Sequence, residues 1–223
     1  ANDSGLFRPP EDFSEDEFNG WSYERNGKEY VPLYEAKILS HFDHRFATYR
    51  GATQAQLNVG ALPRLTDVEH DDAYLEPLAR YWVDRPEVAG RIQDRWDRDW
   101  LVGWRNITKA EQMRTFIPSA LPMTAVGHAF HLALPSEAED AFSLHAAWSS
   151  LAFDYVARQK LSGLNMTYSV VKQLACPTPD NFAKPVAWQL DLTLADWVRK
   201  YVLELSYTSW RLRPYAVDLG DSG

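Results

Sequence analysis

The spacing of apolar residues changes character near the middle of the chain. Before Pro135 the apolar residues come in short runs of strand length. Tyr30 to Leu39 is strand-like and leads into a dense polar block. Tyr81-Trp82-Val83, Trp100 to Ile107, Thr115 to Leu121 and His128 to Leu134 are aromatic or branched runs set off by proline or glycine. Together they predict a meandering sheet. From Pro135-Ser136 onward the spacing is helical. Leu144, Trp148, Leu151 and Tyr155 recur on one face, Ser136 is placed to cap, and Glu137 and Glu139 suit a helix N-terminus. This helix is predicted to reach about Leu161, where Ser162-Gly163 ends it. A short element over Tyr168 to Leu174 is stopped by Pro177 and Pro179. A last helix begins near Thr193, carries Leu194, Trp197, Val198, Tyr201 and Leu205 on one side, and is bounded by Pro214. Arg50 to Asp72 shows no period and reads as irregular. Arg85 to Arg98 alternates with Asp84, Glu87, Asp94, Asp97 and Asp99, as in an exposed, salt-bridged helix. The expected fold class is α+β: a twisted, mostly antiparallel sheet with a helical C-terminal portion.

Composition narrows the class. A chain of 223 residues, 45% hydrophobic, with nine Trp, eleven Tyr and ten Phe has ample material for one packed core. No apolar run approaches the roughly 20 residues that span a bilayer, so a soluble, cytoplasmic protein without membrane contact is expected. The lone Cys176 excludes an internal disulfide and a cysteine-based zinc site. Residues 1–20 are acidic and carry Pro9-Pro10, which reads as an extended or mobile linker, with packing from Trp21 onward as one domain over 21–223. Both ends read as cut from a longer protein. The net charge of −8 counts against a free-standing nucleic-acid binder. Much of that excess lies in the opening, where Asp3, Glu11, Asp12, Glu15, Asp16, Glu17, Glu24 and Glu29 face only Arg8, Arg25 and Lys28.

Candidate chemistry concentrates in Pro32 to Tyr49, PLYEAKILSHFDHRFATY. Within His41-Phe42-Asp43-His44-Arg45-Phe46, arginine offers a planar fork for guanine or phosphate and histidine a further donor. The same residues also suit a buried turn in which Asp43 pairs with Arg45 and the histidines satisfy backbone groups. A metal site of His41, Asp43 and His44 lacks a second ligand cluster of recognised spacing. His128 and His131, three apart on a predicted strand, point to opposite faces and cannot share an ion. No GxSxG elbow supports a serine hydrolase. Arg105 and Arg114 bracket a predicted hairpin and suit one rim of a sheet, or else a solvated surface. Arg158 and Lys160 end the long helix beside Gly163 and Asn165, with Lys172 just beyond; phosphate approach and dipole capping both fit them. Neither an Asn-Pro-Pro-aromatic tetrapeptide nor a glycine-rich cofactor loop occurs, so no complete methyltransferase site is present and no catalytic residue is assigned.

Three ordered pieces carry a family resemblance: Pro32 to Tyr49; WLVGWRNITKAEQMRTFIPSALP from Trp100 to Pro122; and FDYVARQKLSGLNMTYSVVKQLACP from Phe153 to Pro177. The tail ELSYTSWRLRPYAVDLG, Glu204 to Gly220, adds a fourth. They resemble the region C-terminal to the catalytic core in adenine-specific DNA methyltransferases of type II, fused restriction-modification or related phage-defence systems. The resemblance implies a target-recognition domain that reads double-stranded DNA. An upstream catalytic methyltransferase domain of the same polypeptide would use S-adenosylmethionine, and this region would hold no cofactor and no metal. Carried onto matching positions, it makes His44 and Arg45 in the first piece and Arg158, Lys160, Asn165 and Lys172 in the third the DNA-side residues. Arg105 and Arg114, in the second piece, join them as rim residues on residue type and placement. Two other classes stand beside this one: a tryptophan-rich acidic module that binds carbohydrate or a protein partner, and a metal-dependent nuclease built on Asp43.

Overall fold

In the computed structural model, which describes residues 3–221, the strand runs divide between two small sheets and a separate hairpin. β1 (Tyr23–Arg25) and β2 (Lys28–Tyr34) join through Asn26 and Gly27, which both have positive φ, as a tight right-twisted hairpin turn requires. β2 also pairs antiparallel with β3 (Trp82–Asp84) and, in parallel, with β6 (Ala125–Val126). The second sheet has β4 (Trp100–Arg105) at its centre, with β5 (Pro118–Pro122) and β7 (Phe130–Ala133) antiparallel on its two sides. The fold is α+β, with antiparallel pairing throughout except between β2 and β6.

Alternation along β4 decides what lies on each face of its sheet. Trp100 and Trp104 face the helical layer. Trp100 stacks on Phe142 at 5.2 Å and meets Tyr215 edge-on, while Trp104 packs on Trp148 at 5.4 Å and Phe116 at 6.0 Å. Each indole donates a hydrogen bond, Trp100 to the Asp218 carboxylate at 2.8 Å and Trp104 to the Met166 carbonyl at 2.7 Å, so neither ring buries an unsatisfied N–H. Leu101 and Arg105 line a cleft between the two sheets. Gly103 lies between them because β7 passes too close for a side chain: a Cβ there would sit 2.1 Å from the His131 carbonyl oxygen.

The long predicted helix is two. α4 (Ala138–Ser149) ends at Ser150, whose backbone is extended and whose hydroxyl accepts from the Phe153 N–H to cap α5 (Leu151–Lys160). The break rotates the apolar stripe. Trp148 is buried, whereas Leu151 and Tyr155 face solvent. Glu137, not Ser136, precedes the first turn of α4. The stretch read as irregular holds two short helices, α1 (Gln54–Asn58) and α2 (Asp67–Asp71), each opened by a threonine capping box. α3 (Arg85–Ile92) stops six residues short of Arg98. Near the C-terminus come α6 (Tyr168–Val171), α7 (Pro179–Phe182), the hairpin β8 (Pro185–Val186) and β9 (Gln189–Thr193), and then α8 (Leu194–Ser206), which begins where expected and is capped by Thr193. Pro214 starts rather than stops an element, in the first turn of α9 (Arg213–Asp218). The acidic opening is docked over residues 3–20. Phe13 stacks on Tyr23 at 4.2 Å, Phe18 packs on Tyr23 and Trp82, and Arg8 bridges to Trp82 along the edge of β3. Its carboxylates find cations: Asp3 with Arg91, Asp12 with Arg8 and Glu17 with Arg25. Among the described residues no helix is long and apolar enough to cross a membrane.

The β4–β7 contact makes a sharp test. Gly103→Ala forces the added methyl into the β7 backbone and is expected to destabilise the protein by about 3 kcal/mol or more in urea unfolding. Gly163→Ala, where no atom lies within 4 Å of the new methyl, stays within about 0.5 kcal/mol of the parent.

Candidate nucleic-acid interface

The histidine-arginine block folds as a buried clasp. Arg45 is fully buried, and its guanidinium donates to the carbonyls of Asp72 (2.7 Å), Leu75 (2.9 Å), His70 (3.0 Å) and Thr208. Those acceptors come from two segments far apart in sequence, so one side chain binds the end of α2 and the loop after it to the chain just beyond α8. Asp43 supports it: one carboxylate oxygen accepts from the Arg45 N–H at 2.8 Å and the other meets His70 Nε2 at 3.2 Å. His44 is equally buried, with Nε2 3.2 Å from both the Glu76 carboxylate and the Ser209 hydroxyl. Burial withdraws His44 and Arg45 from any groove contact, because every direction in which they can donate leads into the protein. They act by positioning. The pairing expected between Asp43 and the Arg45 side chain is replaced by a bond to its backbone. Among the described residues no group of three or more His, Cys, Asp or Glu is placed to hold a metal ion, as a nuclease centred on Asp43 would require.

Beside the clasp lies a second buried polar group. Phe42 holds a left-handed φ of 62°, unusual for an aromatic residue, and packs on both His41 (4.4 Å) and His145 (5.3 Å). His145 Nδ1 lies 2.9 Å from the Tyr215 hydroxyl. Burial, reinforced by the neighbouring charge of Arg114, lowers His41 to about 4. Burial, reinforced by His41, lowers His145 to about 3. Both rings are therefore neutral at pH 7. Nothing in the sequence singled out His145, since its partner Tyr215 is 70 residues away.

The remaining predicted residues separate by depth. Lys160 and Lys172 are exposed, the first ending α5 and the second following α6. Asn165 is exposed and accepts from the Asn106 side-chain amide at 3.2 Å, while Ile107 and Asn165 form an isolated antiparallel bridge. The turn at residues 162–165 is thereby fastened to the loop that follows β4. Arg158, partly exposed, donates to the carbonyls of Gln112 (3.0 Å) and Met113 (3.2 Å) and pairs with Asp154 at 3.2 Å. The buried Asp154 carboxylate in turn accepts from the Thr115 and Phe116 N–H groups at 2.7 and 2.8 Å. Arg158 and Asp154 thus shape the 106–116 loop from behind. Its tip carries Met113 at 94% exposure, and Ile107 and Leu164 are also exposed. Lys109 lies on the same loop. Arg114 and Arg105 do not share an exposed rim: Arg114 turns toward His41, and Arg105 turns into the cleft between the sheets.

Two measurements test this assignment. Arg45→Lys keeps the charge but cannot span four carbonyls; it is expected to lose about 3 kcal/mol or more of unfolding free energy while DNA affinity of the folded protein stays unchanged. Weakened DNA binding at unaltered stability would instead make Arg45 a contact. For pH, His41 and His145 titrate lower in the fold than the 6.5 of a free side chain, so the unfolded chain takes up protons first. Stability is full above about pH 6.5 and falls on acidification toward pH 4 and 3, by about 2 kcal/mol for His145 between pH 7 and 5. His145→Gln flattens that slope in urea titrations. Comparison with protein-family models, with curated proteins and with solved structures finds no match to this chain.

Proposed function

We propose that this chain is the DNA sequence-recognition module of a larger S-adenosylmethionine-dependent adenine-specific DNA methyltransferase of the restriction-modification or phage-defence kind. The observation that carries the reading is the joined surface made by the 106–116 loop, the end of α5 and the 162–165 turn. There Lys109, Lys160 and Asn165 are exposed beside the apolar tips Ile107, Met113 and Leu164. Lysines suit phosphates, a surface asparagine suits an adenine edge, and exposed apolar tips suit a base step or a displaced base. Methylation of an adenine ring nitrogen or amine requires the base to leave the stack, so a recognition module that wedges the duplex complements a catalytic domain that receives the base. The sequence resemblance over most of Tyr30 to Gly220 supports the same reading. So does the docked opening, because Asp3, Asp12 and Glu17 are paired with arginines and present less free negative charge than the composition implies.

One observation favours a second reading, a module that holds a protein partner. Trp188 is 66% exposed and meets Trp197 edge-on at 5.2 Å, which meets Tyr201 at 4.9 Å. Such edge-to-face rings do not make the flat platform a sugar needs, but they suit a protein surface.

Binding to duplex DNA across a salt series, by the chain alone and fused to a catalytic domain, tests the first reading. Affinity is expected to fall with salt, and Lys160→Ala with Lys172→Ala to lower the log-log slope by about 1 for each phosphate no longer neutralised. Asn165→Ala should instead change which sequence is preferred. Absent or salt-insensitive binding in both contexts sinks the reading. Loss of partner binding in Trp188→Ala, with no DNA binding by the parent, would favour the second.

A further inference from the structure

The cleft between the two sheets has about 900 Å³ of space, toward the upper end of what small ligands occupy. Its walls are largely apolar, with Leu33 and Val83 from the first sheet, Leu101 and Leu132 from the second, and Ile92 from α3. Residues 3–7 lie along it, Phe7 stacking on Tyr81 at 5.9 Å. Other cations of the walls are engaged. Lys37 pairs with Glu35 at 3.3 Å, Arg91 takes both Asp3 oxygens at 3.2 Å, and Arg80 lies 5.2 Å from the centre of the Tyr81 ring. Glu35 is also bonded by the Tyr49 hydroxyl, and Glu87 stands at the α3 edge.

Arg105 differs from all of these. Its Nε is fully buried without a hydrogen-bond partner, its one contact is to the Leu39 carbonyl at 3.5 Å, and no carboxylate pairs with it among the described residues. Burial alone, with no charge nearby to offset it, lowers its pKa. The chain itself shows the alternative: Arg45, whose Nε is likewise without a partner, has its terminal nitrogens on four carbonyls. A guanidinium whose Nε is withdrawn from water without an acceptor is costly, and an anion in the cleft supplies what is missing.

We propose that the cleft binds a small amphipathic anion, whose carboxylate or phosphate head is held by the Arg105 fork and whose apolar body lies against Leu33, Val83, Leu101 and Leu132. The site borders the proposed DNA-facing surface at Ile107, which also lines the cleft, but the two proposals rest on different observations. A guanidinium takes two oxygens of a planar or tetrahedral anion at once, which fits both heads. The apolar walls require the body, because inorganic phosphate alone would leave most of the cleft unfilled.

Calorimetric titration and thermal unfolding of the full chain with dodecanoate, dodecyl phosphate, dodecanol and inorganic phosphate test the site. Dodecanoate or dodecyl phosphate, below the concentration at which either forms micelles, is expected to bind and raise the melting temperature, and the comparison of the two identifies the head. Dodecanol and inorganic phosphate should bind at least about tenfold more weakly. Arg105→Met should fold, melt at or above the parent temperature without ligand, and lose about tenfold or more in affinity for the anion. Leu132→Trp should block the body without touching the charge. The proposal is overturned if the neutral alcohol binds as well as the anions, if inorganic phosphate binds as well as the chained heads, or if the parent binds none of them. A large fall in melting temperature for Arg105→Met in the absence of ligand would overturn it too, by making Arg105 a structural cation.

Discussion

A guanidinium removed from water needs acceptors to replace its hydration, and in this protein that requirement organises the fold around Arg45. Its four carbonyl partners belong to the last turn of α2, to the loop after it, and to Thr208, two residues beyond α8. Carbonyls in a surface loop would ordinarily turn to solvent; here they converge because one buried cation orders them. Asp43 and Glu76 extend the same network, through His70 on one side and through His44 to Ser209 on the other. With that end of α8 fixed, the helix lies against α4, α9 follows, and Tyr215 reaches both His145 and Trp100. The clasp therefore connects the segment that follows β2 to the chain just beyond α8, across more than 160 residues of sequence.

Three arginines divide by what surrounds them. Arg45 has four carbonyl acceptors for its terminal nitrogens and no route to solvent, which makes it a structural element. Arg105 has almost none and borders open space, which gives a ligand somewhere to act. Arg158 is intermediate: its bonds to Gln112 and Met113 hold a loop whose tip stays outside. Residue type is the same in each case. Acceptor count and burial separate the roles.

Much of the secondary structure was legible because it follows from local spacing. β3, β4, β5 and β7 fall within or beside the runs that predicted them, and α8 begins next to Thr193 as the spacing suggested. The misses have physical reasons. Ser150 sits inside a helical pattern, but its hydroxyl accepts from the Phe153 N–H in the first turn of a new helix, and the apolar period continues across the break without revealing the change in direction. The threonine boxes at Thr53 and Thr66 and the Asn26-Gly27 turn were readable signals that aromatic and branched content overshadowed. The acidic opening resembled a linker by charge; Phe13 and Phe18, each alone among polar residues, gave too sparse a pattern to show that they pack on Tyr23.

The α+β class, the antiparallel preference and the concentration of chemistry in the block that ends at Tyr49 all follow from sequence alone. These rest on propensities and periods that act within a few residues. The role of each polar side chain in that block and beyond it came from the fold. His41 met His145, Arg45 met Thr208, and Arg105 turned into a cleft. Charge, hydrogen bonding and solvation act through space, so the same arginine can clasp, brace or bind according to which acceptors the fold brings within hydrogen-bonding reach of it.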